Sequence, residues 1–337
     1  MTNLNGMEEL NKVRRKAILG YGLMPAGFIG MFILESLFII LNTESVGFLM
    51  LSLLRFLIFL AGIAVMILGA AIAAGTTKKY QSIYKELYVK RPLEENFEKL
   101  TYDWKCGFTE NTVQGFQLCE MGNRFRLYSE DFVQAIWQKT PFEMSDVRIA
   151  PCGSGGTSDS AKILFQGRIL VFDIPNMHTG SIQIFSANFL HKAINPAATQ
   201  LARPAEANGF AIFAVNPQEA QTLLTPQLMQ GLTYLSGKFH SIAVHMNDTK
   251  VAVALADNGS ALGSAFDAKH LFAKTSDQEE MAKIGREIND IKEIISTFCN
   301  TLSRPDPYNN IAPATLLPGG FLVEHKANVY AYTDKAL

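Results

Sequence analysis

The sequence predicts an α+β protein: a two-helix transmembrane hairpin followed by a cytosolic domain of mostly antiparallel strands with flanking helices and a long C-terminal helix. Two nearly charge-free stretches, 17–41 and 46–75, lie near the N-terminus. Short apolar or alternating runs bounded by Gly, Pro, Asn and Asp fill the middle of the chain, as strands do. An amphipathic stretch, Asp277–Leu302, follows them. Strand runs with separate helices are typical of α+β proteins rather than of alternating α/β proteins.

The hairpin is predicted from length, because each apolar stretch exceeds the roughly 20 residues that a helix needs to cross a bilayer core. Only Asn42–Ser45 separates the two stretches, which leaves room for a tight turn. A cleaved signal peptide is excluded, because the first apolar run is too long and a second one follows at once.

Basic residues at both outer ends of the hairpin predict its orientation. Arg14, Arg15 and Lys16 precede the first span, and Lys78 and Lys79 follow the second. The positive-inside rule places both ends in the cytosol. We therefore expect a multi-pass protein of the bacterial inner (cytoplasmic) membrane with both termini cytosolic. The four cysteines contain no CxxC pair, which suits reduced thiols in the cytosol.

Glu35 and Arg55 are the only charged residues within the spans. Antiparallel helices that rise ~1.5 Å per residue bring them to similar depths. One interpretation is an intramembrane ion pair that fixes the hairpin. The alternative is that each side chain snorkels separately to the outer interface, or that Arg55 marks the true start of the second span.

Small residues recur at four-residue spacing within the spans, which permits close approach of helices. This pattern favours packing inside the hairpin or the formation of a homo-oligomer through it. The pairs are Ala26/Gly30, Gly69/Ala73 and Ala70/Ala74.

The rest of the chain divides by composition. We expect a cytosolic N-terminal segment over 1–16, a juxtamembrane helical linker over 76–100, an α+β domain over 101–303 and an extended or disordered tail over 304–337. Pro92 interrupts the helical spacing of Lys78–Leu100, so the linker is predicted to hold two helices or a kink. Pro and Gly are frequent after Ser303.

Within the α+β domain the order of elements follows from local patterns. A helix is predicted over Pro226–Leu235, because Thr225 is a favourable N-cap and Pro226 suits the first helical position. Asn247-Asp248 predicts a hairpin turn. The predicted strands are Phe132–Trp137, Phe142–Ile149, Lys162–Phe172, Ser181–Ser186, Gly209–Val215, Ser241–Met246 and Lys250–Ala256.

A resemblance to a known family rests on several segments between Phe116 and Pro226. They are Phe116, the Phe125–Asp131 run, Lys139–Val147, Phe165-Gln166-Gly167, and Phe210–Val215 followed by Glu219-Ala220 and Leu224-Thr225-Pro226. Their order resembles a bacterial domain-of-unknown-function family, numbered 3137, over roughly Leu87 to Leu302 with the preceding hairpin. The resemblance implies the fold and topology. Because that family has no established activity, it implies no catalytic residue.

The sequence contains no recognisable constellation of catalytic, cofactor-binding or metal-binding residues, and it predicts no cofactor. The glycine-rich run Cys152–Ser160 lacks the spacing of a phosphate-binding loop. His240 and His245 point to opposite faces of a strand, and His191 and His270 are isolated, which disfavours a zinc site.

Three acids remain open to two interpretations. Asp131, Glu143 and Asp146 could approach one another across a hairpin as paired carboxylates, or could simply be solvent-facing acids on adjacent strands.

The formal net charge of −1 excludes nucleic-acid binding by overall charge. The sequence therefore predicts a membrane-tethered binding or scaffold module rather than an enzyme, with the lipid bilayer and an unidentified protein as partners. The alternatives are a membrane-surface enzyme with an unrecognised pocket and a subunit of an oligomeric transport or envelope assembly.

Overall fold

The computed structural model describes residues 2–40, 48–119, 121, 125–151, 163–175, 177–187, 189, 194–201, 209–256, 266 and 276–302. Two long helices come first, α1 (Thr2–Ile40) and α2 (Phe48–Tyr84). They run antiparallel and meet at glycines. A Cβ on Gly20 would lie 2.7 Å from the backbone nitrogen of Ala73, and one on Gly69 would lie 2.8 Å from the carbonyl oxygen of Gly20. The two helices therefore touch backbone to backbone.

The second helix continues past the hairpin. It passes into a π-helical turn, Lys85–Lys90, and then into α3 (Arg91–Asn96). Pro92 lies in the first turn of α3, and the Arg91 N–H bonds the carbonyl of Glu86, five residues back. A proline clashes with the carbonyl four residues before it in a regular helix. The wider π-helical turn moves that carbonyl aside, so the chain remains helical through Pro92.

The first strand lies where the sequence predicted helix. The helix ends at Asn96, Phe97 is extended, and β1 (Glu98–Asp103) begins before Leu100, the predicted end of the helical linker. Pairing with the next strand overrides the local helical spacing, because Tyr102 and Asp103 lie in register with Val133 and Phe132.

Nine strands of the described chain form one sheet, in which all hydrogen-bonded neighbours are antiparallel. This sheet, the two apolar helices and the C-terminal helix confirm the α+β prediction. The remaining strands are β2 (Phe125–Trp137), β3 (Thr140–Pro151), β4 (Phe165–Asp173), β5 (Ile182–Ser186), β6 (Thr199–Gln200), β7 (Phe210–Ala214), β8 (Ser241–Asn247) and β9 (Lys250–Ala256). Across the sheet they lie in the order β1-β2-β3-β4-β9-β8-β5-β7-β6.

Four more helices complete the described fold: α4 (Glu110–Gly115), α5 (Pro217–Leu223), α6 (Pro226–Lys238) and α7 (Asp277–Leu302). The side chain of Thr225 accepts a hydrogen bond from the backbone N–H of Leu228 at 3.2 Å, which confirms the predicted N-cap of α6. The predicted helix over Asp277–Leu302 has the predicted bounds.

Each face of the sheet has its own apolar core. On one face, the hairpin face, strand residues such as Val253 pack with Tyr84 and Leu93 of the long helix and with Phe298 of α7. This core also includes Leu10 and Val13 of α1. On the opposite face, the second face, α4 and the residues around it cover the strands. The core of the second face includes Val113, Leu118, Ile169 and Phe185.

Candidate functional site

Polar side chains collect on the hairpin face, where the π-helical turn, the sheet and the first half of α7 meet. Several of them are almost completely buried, which is unusual for charged residues unless they are paired. We name this set the junction cluster: Tyr84, Lys85, Tyr88, Tyr102, Asp131, Asp146, Arg168, Asp277, Glu280 and Glu287.

A buried ion pair lies at the centre of the cluster. Lys85 Nζ lies 2.5 Å from Asp131 Oδ2, and the Tyr102 hydroxyl donates to Asp131 Oδ1 at 2.6 Å. Asp131 sits in a bulge of β2 with a left-handed backbone (φ 57°), a conformation that Asp tolerates better than most residues. Burial raises the pKa of the Asp131 carboxyl, while Lys85 and Tyr102 oppose that effect.

Two tyrosines of the long helix join α7 to the hairpin. The Tyr84 hydroxyl donates to Glu280, and the Tyr88 hydroxyl donates to Asp277. Their rings lie 5.0 Å apart, as expected for residues four apart on a helix. Burial, followed by the hydrogen bond to the carboxylate, raises the pKa of both hydroxyls. Both tyrosines therefore stay protonated donors at neutral pH.

Arg168 joins the sheet to α7. Its Nε donates to Asp146 Oδ1 at 2.9 Å, and its Nη1 donates to Glu287 Oε2 at 2.8 Å. The Phe266 ring lies 4.4 Å from the guanidinium. Burial alone would lower the pKa of Arg168, but Asp146 and Glu287 outweigh it and raise that pKa. The side chain is thus a permanent cation fixed between two acids.

This geometry is suited to holding elements together rather than to turnover. The acids of the cluster hydrogen bond to protein cations and hydroxyls, and removing one partner of such a buried pair is strongly destabilising. Within the described ranges, no three His, Cys, Asp or Glu side chains are placed to share a metal ion.

The predicted acids separate in the structure. Asp131 and Asp146 come close enough to interact electrostatically, and each is bound by a cation. Glu143 accepts instead from Gln134 at 3.0 Å on the exposed part of the same strand pair. The glycine-rich run Cys152–Ser160, His191 and His270 lie outside the described residues.

The sequence pattern alone does not identify the two cations of the junction cluster. Lys85 looked like one of several lysines between tyrosines. Arg168 offered a usable signal, because it interrupts the apolar run Ile163–Phe172 that predicts a buried strand. A charged residue in such a strand indicates a buried partner.

On the second face, two polar residues of neighbouring strands hold the segment that covers the sheet. His245 Nδ1 lies 2.8 Å from the carbonyl oxygen of Phe116, and His245 Nε2 lies 2.9 Å from Ser181 Oγ. Because a carbonyl only accepts, Nδ1 carries the proton and Nε2 accepts from the serine. Gln183 Nε2 donates to the carbonyl oxygen of Gln117 at 3.2 Å. Burial lowers the pKa of His245.

An open groove lies on the outer side of α6. Tyr234 projects into it and is 57% exposed. Lys238, at one end, pairs with Asp290 at 2.6 Å and with Glu293 of α7. The groove is lined by Gln230, Thr233, Tyr234, Gly237 and Lys238.

The hairpin presents apolar side chains outward along most of its length. Leu19, Phe28, Phe56 and Ile67 are each at least half exposed. Only 17% and 11% of the most apolar windows of the two helices are buried, whereas a core helix of a soluble protein is mostly buried. Two helices are therefore long and apolar enough to cross a membrane, and their exposed surfaces indicate membrane association.

The helix contacts also give the register at which Glu35 and Arg55 lie. Gly20 meets Gly69, and Gly27 meets Gly62, one heptad further along both helices. A further heptad places Leu34 opposite Arg55, beside Glu35. Glu35 and Arg55 are both half-buried. Similar depth is compatible with the ion pair and with separate snorkelling, so the pair stays a prediction.

Residues 163–299, from just before β4 into α7, match the family model described as protein of unknown function (DUF3137). The match confirms the resemblance over that stretch. No curated protein matches the chain. Among solved structures, the mycobacterial trehalose monomycolate transport factor A, TtfA, is similar with a TM-score of 0.36 and 7% identity, over 66% of this chain and 96% of the other. The family description assigns no activity.

Proposed function

We propose that this chain is a membrane-tethered binding module of the bacterial inner membrane. In this proposal the hairpin spans the bilayer and holds the nine-stranded sheet with the helices that cover it, which we name the sheet domain, on the cytosolic side. The sheet domain there recruits a protein partner. The observation that carries the proposal is the continuity of α2 with the core of the sheet domain. Tyr84, Val89 and Leu93 belong to the same core as the strands. A shared core restrains the domain relative to the hairpin, as a flexible linker does not.

The orientation is supported by the basic flanks of the hairpin. Arg15, Lys16, Lys78 and Lys79 are exposed at the end of the hairpin from which the sheet domain continues. The positive-inside rule therefore favours a cytosolic sheet domain and cytosolic termini.

Cysteine accessibility tests this orientation. The native cysteines are replaced by serine, and a membrane-impermeant maleimide is added to intact cells. Thr43→Cys, at a position between α1 and α2 in the chain, should be modified from outside. Leu337→Cys should be modified only after permeabilisation. Modification of Leu337→Cys in intact cells would refute the proposed topology.

The α6 groove is the surface at which we test partner binding, because exposed aromatic side chains in apolar grooves are frequent in interfaces. A photo-crosslinking amino acid in place of Tyr234 should give one discrete product in living cells. The same amino acid in place of Lys250, which is exposed at the start of β9, is the control. Equal products at both positions, or none at Tyr234, would remove the groove as the binding surface.

A membrane-surface enzyme is the second candidate, and the hydrogen bond between Ser181 and His245 favours it. A serine bonded to a neutral imidazole is the first half of a nucleophile arrangement. Here, however, the other ring nitrogen bonds a backbone carbonyl rather than a carboxylate. Labelling by a fluorophosphonate probe that disappears in Ser181→Ala would support the enzyme. Absence of labelling supports the binding module.

A homo-oligomer through the hairpin is also supported by the placement of small residues. Gly69 and Ala73 are buried within the hairpin, whereas Ala26 on α1 and Ala70 and Ala74 on α2 are exposed. Oxidation of Ala26→Cys should then link two copies. An oligomeric transport or envelope assembly would require such contacts between copies of the hairpin.

A further inference from the structure

Exposed cations surround the hairpin at one level. Lys12, Arg15 and Lys16 are exposed on α1, and Lys78 and Lys79 are exposed on α2. They flank the buried residues Val13, Ala17 and Tyr80, which face the helix seam and the core. The five cations therefore lie on the sides of the hairpin turned away from the seam. We name these five residues the basic collar.

The α1 and α2 residues of the collar lie at similar positions along the hairpin axis. Lys79 Nζ lies 2.8 Å from Glu9 Oε1, which joins α2 to α1 one turn before Lys12. Lys12 and Lys16 are separated by about 6 Å along the helix axis. Lys78 and Lys79 begin about 5 Å beyond Gly75 by the same rise. Because Gly20 meets Gly69, Lys79 is level with Leu10, and the five residues fall within a band of about 9 Å along the hairpin axis.

The extent of that band along the hairpin axis is comparable to the thickness of a layer of lipid headgroups. A headgroup layer adds about 5–8 Å to each side of the hydrocarbon core. On one side of the collar, Leu19 and Leu68 are 61% and 57% exposed, as lipid-facing residues are. On the other side, Leu10 and Tyr84 enter the core of the sheet domain. The collar therefore lies between the exposed apolar part of the hairpin and the sheet domain.

The charge balance at this level is positive. Glu8 and Glu9 are the acids of α1 next to the collar, and both lie on the side away from the apolar spans. Glu9 pairs with Lys79, but both side chains are more than half exposed, so the pair is weak and screened by salt. Arg14 is left out of the collar because it is half-buried and interacts with Tyr80.

We propose that the basic collar binds the phosphate groups of anionic phospholipids and thereby selects them as neighbours of the hairpin. The proposal rests on the membrane placement proposed above. It adds lipid selection, because the positive-inside rule concerns orientation during insertion and requires no lasting contact with anionic headgroups. Juxtamembrane clusters of four to eight Lys and Arg attract anionic lipids, and the attraction falls off within a Debye length.

The test uses the full chain in nanodiscs made from equal parts of phosphatidylglycerol and phosphatidylcholine. The lipids that stay bound when the protein is released are counted by native mass spectrometry. We expect phosphatidylglycerol to be enriched about threefold among them, because each cation adds to the attraction. Raising the salt to about 500 mM during release should abolish most of the enrichment, since the Debye length then falls well below 10 Å.

Two variants assign the effect to the collar. K12Q/R15Q/K16Q/K78Q/K79Q should bring the ratio close to one. The matched control, K99Q/K105Q/K139Q/R148Q/K250Q, removes five exposed cations of the sheet domain and should keep the enrichment. If the collar variant does not insert, the salt dependence of the unmodified chain decides the matter.

The outcomes separate the collar from the membrane placement. A chain that fails to enter nanodiscs contradicts the proposed anchoring itself. A chain that enters them and shows no enrichment, or enrichment that is insensitive to salt, overturns lipid selection by the collar while leaving the anchoring in place. Equal loss of enrichment in the collar variant and in the matched control would also overturn it.

Discussion

Lys85 and Asp131 form a buried ion pair in which each partner lies at a local irregularity of its own element. Lys85 begins the π-helical turn, and Asp131 occupies a bulge of β2 with a left-handed backbone. Their side chains are 5% and 0% exposed. The two irregularities meet where the long helix enters the core, so one charge pair holds the hairpin to the sheet.

The first prediction concerns this pair. Lys85→Met should lower the free energy of unfolding by about 3–5 kcal/mol, because it leaves the Asp131 carboxylate buried without its cation. Lys90→Met is the control, since Lys90 pairs with Glu86 at 2.8 Å in the same turn but at the surface. That change should cost about 0.5 kcal/mol. Chemical unfolding in detergent measures both, and equal losses would contradict a central role for Lys85.

The second prediction concerns pH. Burial lowers the pKa of His245 in the folded chain, so the unfolded chain takes up this proton first as the pH falls. Stability from this residue is therefore complete above about pH 6.5, the value of an unperturbed histidine, and declines below it. His245→Gln should flatten the decline in melting temperature between about pH 6.5 and pH 5. His178→Gln, at a ring that is 76% exposed, is the comparison variant, and an unchanged decline in His245→Gln would contradict the prediction.

The third prediction concerns the helix seam. Gly20→Ala should destabilise the hairpin by about 1–3 kcal/mol, because the added Cβ meets the backbone of Ala73 rather than a movable side chain. Gly22→Ala is the matched control, two residues away, where a Cβ has nothing within 4 Å. It should be neutral or slightly stabilising. Thermal unfolding of both variants in the same detergent checks the difference, and similar melting temperatures would exclude the close backbone contact.

The fourth prediction concerns the charges within the hairpin. If Glu35 and Arg55 pair, Glu35→Gln and Arg55→Gln should each lower the stability of the hairpin more than the charge-swapped E35R/R55E does. The reason is that a single change leaves a lone charge in hydrocarbon. A double-mutant cycle with the two glutamine variants should give a coupling energy of about 0.5–3 kcal/mol. A coupling near zero would leave separate snorkelling as the explanation.

Elements with a strong local period could be predicted from the sequence. The two apolar helices, the hairpin of β8 and β9, and α7 all show one pattern over their whole length. The short elements could not be predicted this way. The first residues of β1 continue the helical spacing of the apolar residues that precede them. The segment forms a strand because it pairs with β2. The helical path through Pro92 depends on the π-helical turn, which no residue type specifies.

The junction cluster was out of reach for a different reason. Lys85 and Asp131 are distant in sequence, and their contact requires the bulge in β2. The bulge also changes the face of the sheet on which the following residues of the strand lie. Leu127 packs on the second face and Val133 on the hairpin face, although residues an even number apart share one face of a regular strand. The face changes at the bulge, and the sequence does not show this change, because both residues hold odd positions of one alternation.

The uninterrupted helix from the hairpin into the sheet domain has a mechanical consequence. From Gly75 to Asn96 the helix extends about 31 Å beyond the apolar span. Hairpins respond to thinner or thicker bilayers by tilting. A stiff lever of this length converts a tilt of about 10° into a sideways displacement of about 5 Å at its far end. In the proposed membrane placement, the position of the sheet domain would then report the thickness of the bilayer.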